Sequence, residues 1–366
     1  MTTANRVGVG VIGAGVISSQ YLDNLTTFPD VEVLFVADLE TDRAAEQAAK
    51  YDVPGSGTVA QLLAHPDIEI VVNLTIPAAH VEVALQALAA GKHVFTEKPF
   101  ALDRESGRRL LDESKKLGLR AASAPDTFLG SGLQTAKRMI DAGDIGTPTT
   151  ALTLFQVAGP EAWHPNPEFL YAKGGGPLFD MGPYYLTALV QNLGSVARVA
   201  ATASTARSTR VIGSGPRAGV EFAVEIPTHV SAIIEFESGA SAHCIFSFES
   251  GLSRSGVLEI SGTEGTLVLP DPNTFGGEVV LHVGGEPVST TVTEVFAERG
   301  VGVVELARAI RAGVPERASS EQAFHVLDVM VAISEAAESG AFVTVESSAQ
   351  RASALPVDWD PREATL

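Results

Sequence analysis

Between Arg6 and about Ala124 the chain alternates short β-branched runs with helical stretches, and that rhythm leaves few folds open. The runs Val7–Ile12, Val31–Ala37, Ile68–Leu74, His93–Phe95 and Leu119–Ala122 are separated by Val16–Leu25, Arg43–Tyr51, Ala79–Ala90 and Arg104–Leu117. Several runs are apolar at nearly every position, as in Val33, Leu34, Phe35 and Val36 or Val71, Val72 and Leu74. A strand of that kind suits a sheet covered on both faces. Residues 1–126 therefore read as successive βαβ units, a doubly wound parallel sheet of the Rossmann type.

After Phe128 the rhythm changes. One helix, Gln134–Ala142, precedes extended segments rich in Thr, Val, Phe and Ile: Thr149–Val157, Val196–Thr205, Val220–Ile226, Val230–Phe236, Ala240–Phe248, Gly256–Ser261, Gly265–Leu269 and Val279–Val283. Turn chemistry such as Glu237-Ser238-Gly239-Ala240 and Gly262-Thr263-Glu264-Gly265 joins several of them, which implies antiparallel pairing. Two helices, Val303–Ala312 and Glu321–Ser339, follow. Residues 127–366 thus read as an α+β domain with a large, mostly antiparallel open sheet, and 366 residues suit two domains in all.

Charge narrows the partners. Twenty-five basic against 44 acidic residues leave a net −19, which repels nucleic-acid backbones and anionic lipid, so neither nucleic acid nor a membrane is expected as a partner. The lone Cys244 forms no internal disulfide and no zinc cluster, and the histidines lack metal-ligand spacing, so no metal is expected. Four glycines interrupt the apolar run Val7–Ile17, no small-residue cleavage site precedes Gln20, and no apolar stretch approaches the ~18 residues of a membrane span. A cytoplasmic protein is the expectation.

Two overlapping registers fit the dinucleotide glycine template. Gly8-Val9-Gly10-Val11-Ile12-Gly13 matches literally but buries the loop inside the first strand. Gly13-Ala14-Gly15-Val16-Ile17-Ser18 follows a complete strand and opens a helix, which is the context phosphate binding needs. In that register Gly13 makes the tight turn, Gly15 lets the pyrophosphate approach, and amides at Val16 and Ile17 face the phosphates. Asp38, 23 residues after Gly15, stands where a carboxylate accepts from the adenine-ribose hydroxyls. Leu39 and Glu40 supply no cation for a 2′-phosphate, so NAD is expected over NADP.

A strand ending in Asn73-Leu74-Thr75-Ile76-Pro77 leads to a helix with His80, then to Ala90-Gly91-Lys92-His93-Val94-Phe95-Thr96-Glu97-Lys98-Pro99. Farther on come Gly174-Gly175-Gly176-Pro177-Leu178-Phe179-Asp180-Met181-Gly182-Pro183-Tyr184 and Ile260-Ser261-Gly262-Thr263-Glu264-Gly265-Thr266. Together with the glycine loop, these resemble the Gfo/Idh/MocA oxidoreductases, the family of glucose-fructose oxidoreductase and inositol dehydrogenase, over nearly the whole chain. The resemblance implies a nicotinamide at the carboxyl ends of the first domain's strands, with Thr75, Pro77, His80 and Glu97 around it and Lys98 pointing at the reacting carbon. It also implies a cis Lys98–Pro99 bond and oligomer contacts, dimeric or tetrameric, through the second domain's sheet.

Asp180 and Tyr184 share one face if their segment is helical. Many family members carry a histidine acid/base where this chain has Tyr184; tyrosine occurs in the branch resembling glucose-fructose oxidoreductase and the dihydrodiol dehydrogenases. A phenol of ordinary pKa near 10 is a poor base unless a cation stabilises its phenolate, and Lys98 is the candidate cation. The expected catalytic set is Lys98, Asp180 and Tyr184, with the base open between Tyr184 and Lys98. Trp163 and His164, in a proline-bracketed segment, are candidates for stacking on and bonding a sugar, and Asp126 is a further candidate for substrate contact. The leading reading is an NAD-dependent dehydrogenase of a sugar, cyclic polyol or glycoside. The alternatives are a transient-redox lyase or glycoside-processing enzyme that retains its NAD, and a dinucleotide-dependent sensor.

Overall fold

The computed structural model describes residues 6–294 and 298–366. Of these, 6–130, 298–324 and 352–366 form one compact unit and 131–294 with 325–351 form another.

The first unit is built on six parallel strands, β1 (Val7–Ile12), β2 (Val31–Ala37), β3 (Gly55–Gly57), β4 (Ile70–Asn73), β5 (His93–Thr96) and β6 (Ala121–Ser123), in the order β3-β2-β1-β4-β5-β6. Helices α1 (Val16–Leu25), α2 (Thr41–Lys50), α3 (Val59–Ala64), α4 (His80–Ala89) and α5 (Arg104–Leu117) are the crossovers. Val7, Val9, Val11, Ile70, Val71, Val72, Val94 and Phe95 have no solvent exposure, as strands covered on both faces require. Local chemistry sets the helix ends. Thr58 and Gln61 form a capping box on α3, while Asp103 caps α5 at its start and left-handed Gly118 ends it. Strand order reverses between β1 and β4, so the crevice beyond their carboxyl ends is where a doubly wound sheet binds its ligand.

The second unit carries α6 (Ser131–Ala142), β7 (Pro148–Gln156), α7 (Gly176–Leu193), β8 (Val196–Ser204), a small hairpin of β9 (Thr209–Val211) and β10 (Glu221–Ala223), then β11 (His229–Phe236), β12 (Ser241–Ser247), β13 (Arg254–Gly262), β14 (Thr266–Leu269), β15 (Gly277–Val283) and β16 (Glu286–Thr293). Helix α8 (Val301–Ala312) belongs to the first unit, α9 (Ser320–Ser339) runs on from the first unit after Phe324, and β17 (Val343–Thr344) closes the second sheet. That sheet has nine strands in the order β16-β15-β14-β13-β7-β12-β11-β8-β17. All its pairings are antiparallel except one: β7 runs parallel to β12, which the turn signals did not announce. Helix α7 packs across β7, β11 and β12, and α6 across β14, β15 and β16. Residues alternate accordingly: Ala232, Ile234, Cys244, Phe246, Leu258 and Ile260 are buried on that side. Burial pushes the Cys244 thiol up to about 12, so it behaves as a small apolar filler.

Candidate active site: a dinucleotide edge and a braced lysine

The second glycine register is the one that folds. Ile12 ends β1, Gly15 caps α1, and the turn between them is Gly13 at φ +103°. A Cβ on Gly13 would stand 2.6 Å from the Leu74 carbonyl oxygen, so only glycine lets this turn lie against the β4 loop. At Gly15 a Cβ meets nothing within 4 Å: the space is open on the side where a pyrophosphate needs to approach the backbone. Ser18, fully buried, donates its hydroxyl to the Gly15 carbonyl at 2.6 Å and tightens the turn. Val16, Leu39 and Ile76, after β1, β2 and β4, expose 93%, 92% and 69% of their surface, three apolar side chains at the edge where flat rings would cover them. Ile17 follows Val16 in the first turn of α1 and is half-buried.

Asp38 stands at the end of β2 with its carboxylate turned toward this loop. Its Oδ2 accepts from the Ala14 amide at 2.7 Å, and its Oδ1 accepts from the Glu40 amide at 2.9 Å and from the Arg43 guanidinium at 2.6 Å. Burial alone would raise its pKa; the bonds from Arg43, Ala14 and Glu40 outweigh it and hold the carboxyl below its ordinary range. Arg43 corrects one inference. Leu39 and Glu40 are indeed not cations, but the first turn of α2 brings a guanidinium to Asp38 from five residues on.

The Glu97-Lys98-Pro99 run leaves β5 at the same edge. Glu97, buried, accepts from the Tyr21 hydroxyl of α1 at 2.7 Å through Oε1 and from the Lys98 amide at 2.9 Å through Oε2. The Lys98–Pro99 bond is cis. His80 opens α4 with Nδ1 2.8 Å from the Pro99 carbonyl and Nε2 3.0 Å from the Thr75 carbonyl, so one ring links the two loops. Burial holds His80 below its ordinary pKa, against the pull of those two carbonyl bonds. Asn73 completes the brace: its side-chain amide donates to the His80 carbonyl at 2.9 Å, and its oxygen accepts the Thr75 hydroxyl at 2.7 Å. Pro77 opens the short 3₁₀ turn that leads from this loop into α4. Gly13, Gly15, Val16, Ile17, Asp38, Thr75, Pro77, His80, Glu97 and Lys98 therefore follow the ends of β1, β2, β4 and β5. Tyr21, Asn73 and Arg43 were missed; only their helical or strand-end spacing from named residues hinted at them.

Asp126 departs from expectation. It has no solvent exposure and serves the fold: its Oδ2 accepts the Gly300 and Gly302 amides at 2.9 and 3.1 Å, tying β6 to the start of α8, with the Arg299 guanidinium 3.7 Å from Oδ1. Desolvation raises its pKa, opposed by Arg299 and the two amides. A side chain so enclosed is out of reach of a substrate.

In the second unit, Asp180 and Tyr184 lie on α7, one helical turn apart, with Asp180 half-buried and Tyr184 buried. Trp163 and His164 follow a 3₁₀ turn at Pro160–Ala162, and the His164 ring sits edge-on between Trp163 and Phe169 at 5.6 and 5.4 Å, with Trp163 and Phe169 exposed. A buried cation anchors this segment. Arg210 bonds Glu161 at 2.5 Å and Glu249 at 2.6 Å, while the Tyr171 hydroxyl donates to Glu161 and the Thr228 hydroxyl to Glu249. The hairpin continues the grip, with the Ser214 hydroxyl on the Trp163 carbonyl at 2.7 Å.

Residues 7–124 match the oxidoreductase family's NAD-binding Rossmann fold, and residues 133–268 match the GFO/IDH/MocA C-terminal domain. The chain belongs to the Gfo/Idh/MocA family of NAD-binding oxidoreductases. It is 27% identical over 275 residues to a trans-1,2-dihydrobenzene-1,2-diol dehydrogenase of Bos taurus, covering 74% of this chain and 76% of that one. It is 32% identical over 163 residues to an inositol 2-dehydrogenase of Saccharopolyspora erythraea, 43% of this chain and 48% of that one. Among solved structures it shares the fold of a levoglucosan dehydrogenase complexed with NADH and L-sorbose, with a TM-score of 0.82 at 22% identity over 94% of this chain and 100% of that one.

Proposed function

We propose that the chain is an NAD-dependent dehydrogenase that oxidises a carbinol carbon of a sugar, cyclic polyol or glycoside, with Lys98, Asp180 and Tyr184 as its catalytic residues. The observation that carries this reading is the braced Glu97-Lys98-Pro99 run, held by Tyr21 and His80 at the same sheet edge as the open Gly15 turn and Asp38. Relatives named for inositol, dihydrodiol and levoglucosan oxidation support polyhydroxylated rings as the substrate class.

NAD, when bound, supplies the hydride acceptor. The chain's residues do the rest. Gly13, Gly15, Val16 and Ile17 receive the pyrophosphate, Asp38 accepts from the ribose, and Thr75, Pro77, His80 and Glu97 shape the loops beside the ring. As the carbinol carbon loses hydride, its hydroxyl loses a proton, and Tyr184 Oη and Lys98 Nζ are the atoms that handle it. An ammonium beside a phenol favours the phenolate, and Lys98 is the group that supplies that charge in this reading. Asp180 orients the hydroxyl and Lys98. Trp163 and His164 hold the far side of the sugar by stacking and hydrogen bonds.

Oligomerisation belongs to the same reading. The face of the nine-stranded sheet opposite α6 and α7 presents Ile233, Ile245, Leu152, Leu154, Val257 and Val268 among polar neighbours, and a second copy of the chain suits it. A cytoplasmic setting suits a chain whose one cysteine is buried and unpaired; no helix among the described residues is long and apolar enough to cross a membrane. The test is a panel of neutral polyols, aldoses and glycosides assayed for NADH formation, with retained cofactor measured after denaturation and subunit number by light scattering. Turnover on ring polyols is expected. Retained NAD without net turnover would favour transient redox chemistry, ligand binding with neither would favour a sensor, and a monomer would contradict the sheet contact.

A further inference from the structure

We propose that Arg43 makes the Asp38 edge of this cofactor site tolerant of a 2′-phosphate, so that the chain binds NADP(H) as well as NAD(H). The inference rests on Asp38 being the ribose acceptor and goes beyond the NAD reading. A carboxylate beside the ribose excludes a 2′-phosphate because two anions meet and the phosphate has no hydrogen to donate. Both conditions change when the carboxylate is already engaged. Asp38 has about four lone-pair sites. Three are filled from within the chain, by the Ala14 amide on Oδ2 and by the Glu40 amide and the Arg43 guanidinium on Oδ1. About one is left for a ribose that brings two hydroxyl donors.

The guanidinium decides what the edge favours. It bonds Asp38 at 2.6 Å through Nη2, and its side chain is half exposed, so the bond to Asp38 does not use up the five N–H donors of the fork. An Arg fork matches phosphate oxygens, and the ion pair cancels the charge that makes a bare aspartate hostile to phosphate. With NADH the guanidinium stays on Oδ1 and the ribose uses the carboxylate site left open; with NADPH Nη2 keeps its bond to the carboxylate while the remaining N–H groups of the fork donate to the phosphate. Other groups limit the gain. Glu40 adds its charge beside Arg43, and Asp42 sits in the first turn of the same helix, so the edge is tolerant of phosphate rather than selective for it.

The experiment is a binding titration that needs no substrate. Purified protein is titrated with NADH and with NADPH by nicotinamide fluorescence, for the wild type and for Arg43→Ala, Arg43→Gln and Arg43→Lys, with thermal melts alongside to show that each variant is folded. Wild-type affinities within about tenfold of each other are expected. Arg43→Ala and Arg43→Gln are expected to weaken NADPH at least about tenfold while NADH stays within about threefold, and Arg43→Lys to keep part of the NADPH affinity. NADPH binding should also fall more steeply with salt than NADH binding. A wild-type gap above about a hundredfold, or folded variants that change both cofactors equally or neither, overturns the proposal. A wild type that binds neither dinucleotide would contradict the cofactor reading itself.

Discussion

At the scale of single residues, the two loop glycines do different work. Gly13 is needed by the fold: its φ of +103° and the Leu74 carbonyl 2.6 Å from a notional Cβ make Gly13→Ala costly, roughly 2 kcal/mol or more. Gly15 has φ −77° and open space around its Cβ position, so Gly15→Ala should leave stability within about 0.5 kcal/mol while placing a methyl where the pyrophosphate approaches. Urea melts and NADH titrations of both variants separate the roles. Gly15→Ala is expected to melt like the wild type and to bind NADH at least about tenfold more weakly; retained affinity would remove Gly15 from the phosphate site. The register of this turn was legible in the sequence because a complete strand before Gly13 and a helix after Gly15 fixed it. Arg43 was not: the alternation pattern places it on a helix but says nothing of which way a side chain five residues past Asp38 turns. Asp126 failed for the opposite reason. Its proximity to the domain change suggested a ligand, whereas its partners Arg299, Gly300 and Gly302 lie more than 170 residues away in sequence and no local pattern announces them.

At the scale of elements, α9 is fastened to β8 through a neutral histidine. His325 Nε2 accepts the Val196 amide at 3.0 Å, and Nδ1 lies 2.9 Å from the Ser347 hydroxyl. Desolvation lowers its pKa from 6.5 to about 4, opposed by Asp328 and Ser347. The folded state therefore binds this proton more weakly than the unfolded chain. The stabilisation is whole above pH 6.5, falls as the unfolded histidine protonates, and is spent by about pH 4, a loss of roughly 3 kcal/mol over that window. Urea unfolding at stepped pH should show that slope, and His325→Gln should flatten it from a lower starting stability; an unchanged slope in the variant would place the pH dependence elsewhere. The strands of this unit were only partly readable. Alternation marked β11 and β12, but β16 carries exposed Val288 and Val292 among polar residues, and β9 is only three residues long, too short for a period to register. The parallel β7–β12 pairing joins strands far apart in sequence, beyond what any turn can signal.

At the scale of the whole molecule, Lys98 lies in one compact unit and Asp180 and Tyr184 in the other, and the proposed chemistry requires them to serve one substrate. That pairing comes from the family resemblance and stands as a proposal, whereas periodicity alone gave only the two halves. The return of 298–324 and 352–366 to the first unit was beyond it, since helices record the face they bury and not the sheet they bury it on. The most direct measurement follows deuterium from the carbinol carbon of a turned-over polyol to the nicotinamide, in the wild type and in Tyr184→Phe, with NADH affinity measured in parallel. The expected result is deuterium on the reduced cofactor in the wild type, and in the variant a transfer rate lower by roughly 10²–10⁴ with NADH affinity within about threefold. Transfer at the wild-type rate without the phenol hydroxyl, or reduced cofactor that carries no deuterium, would contradict the mechanism.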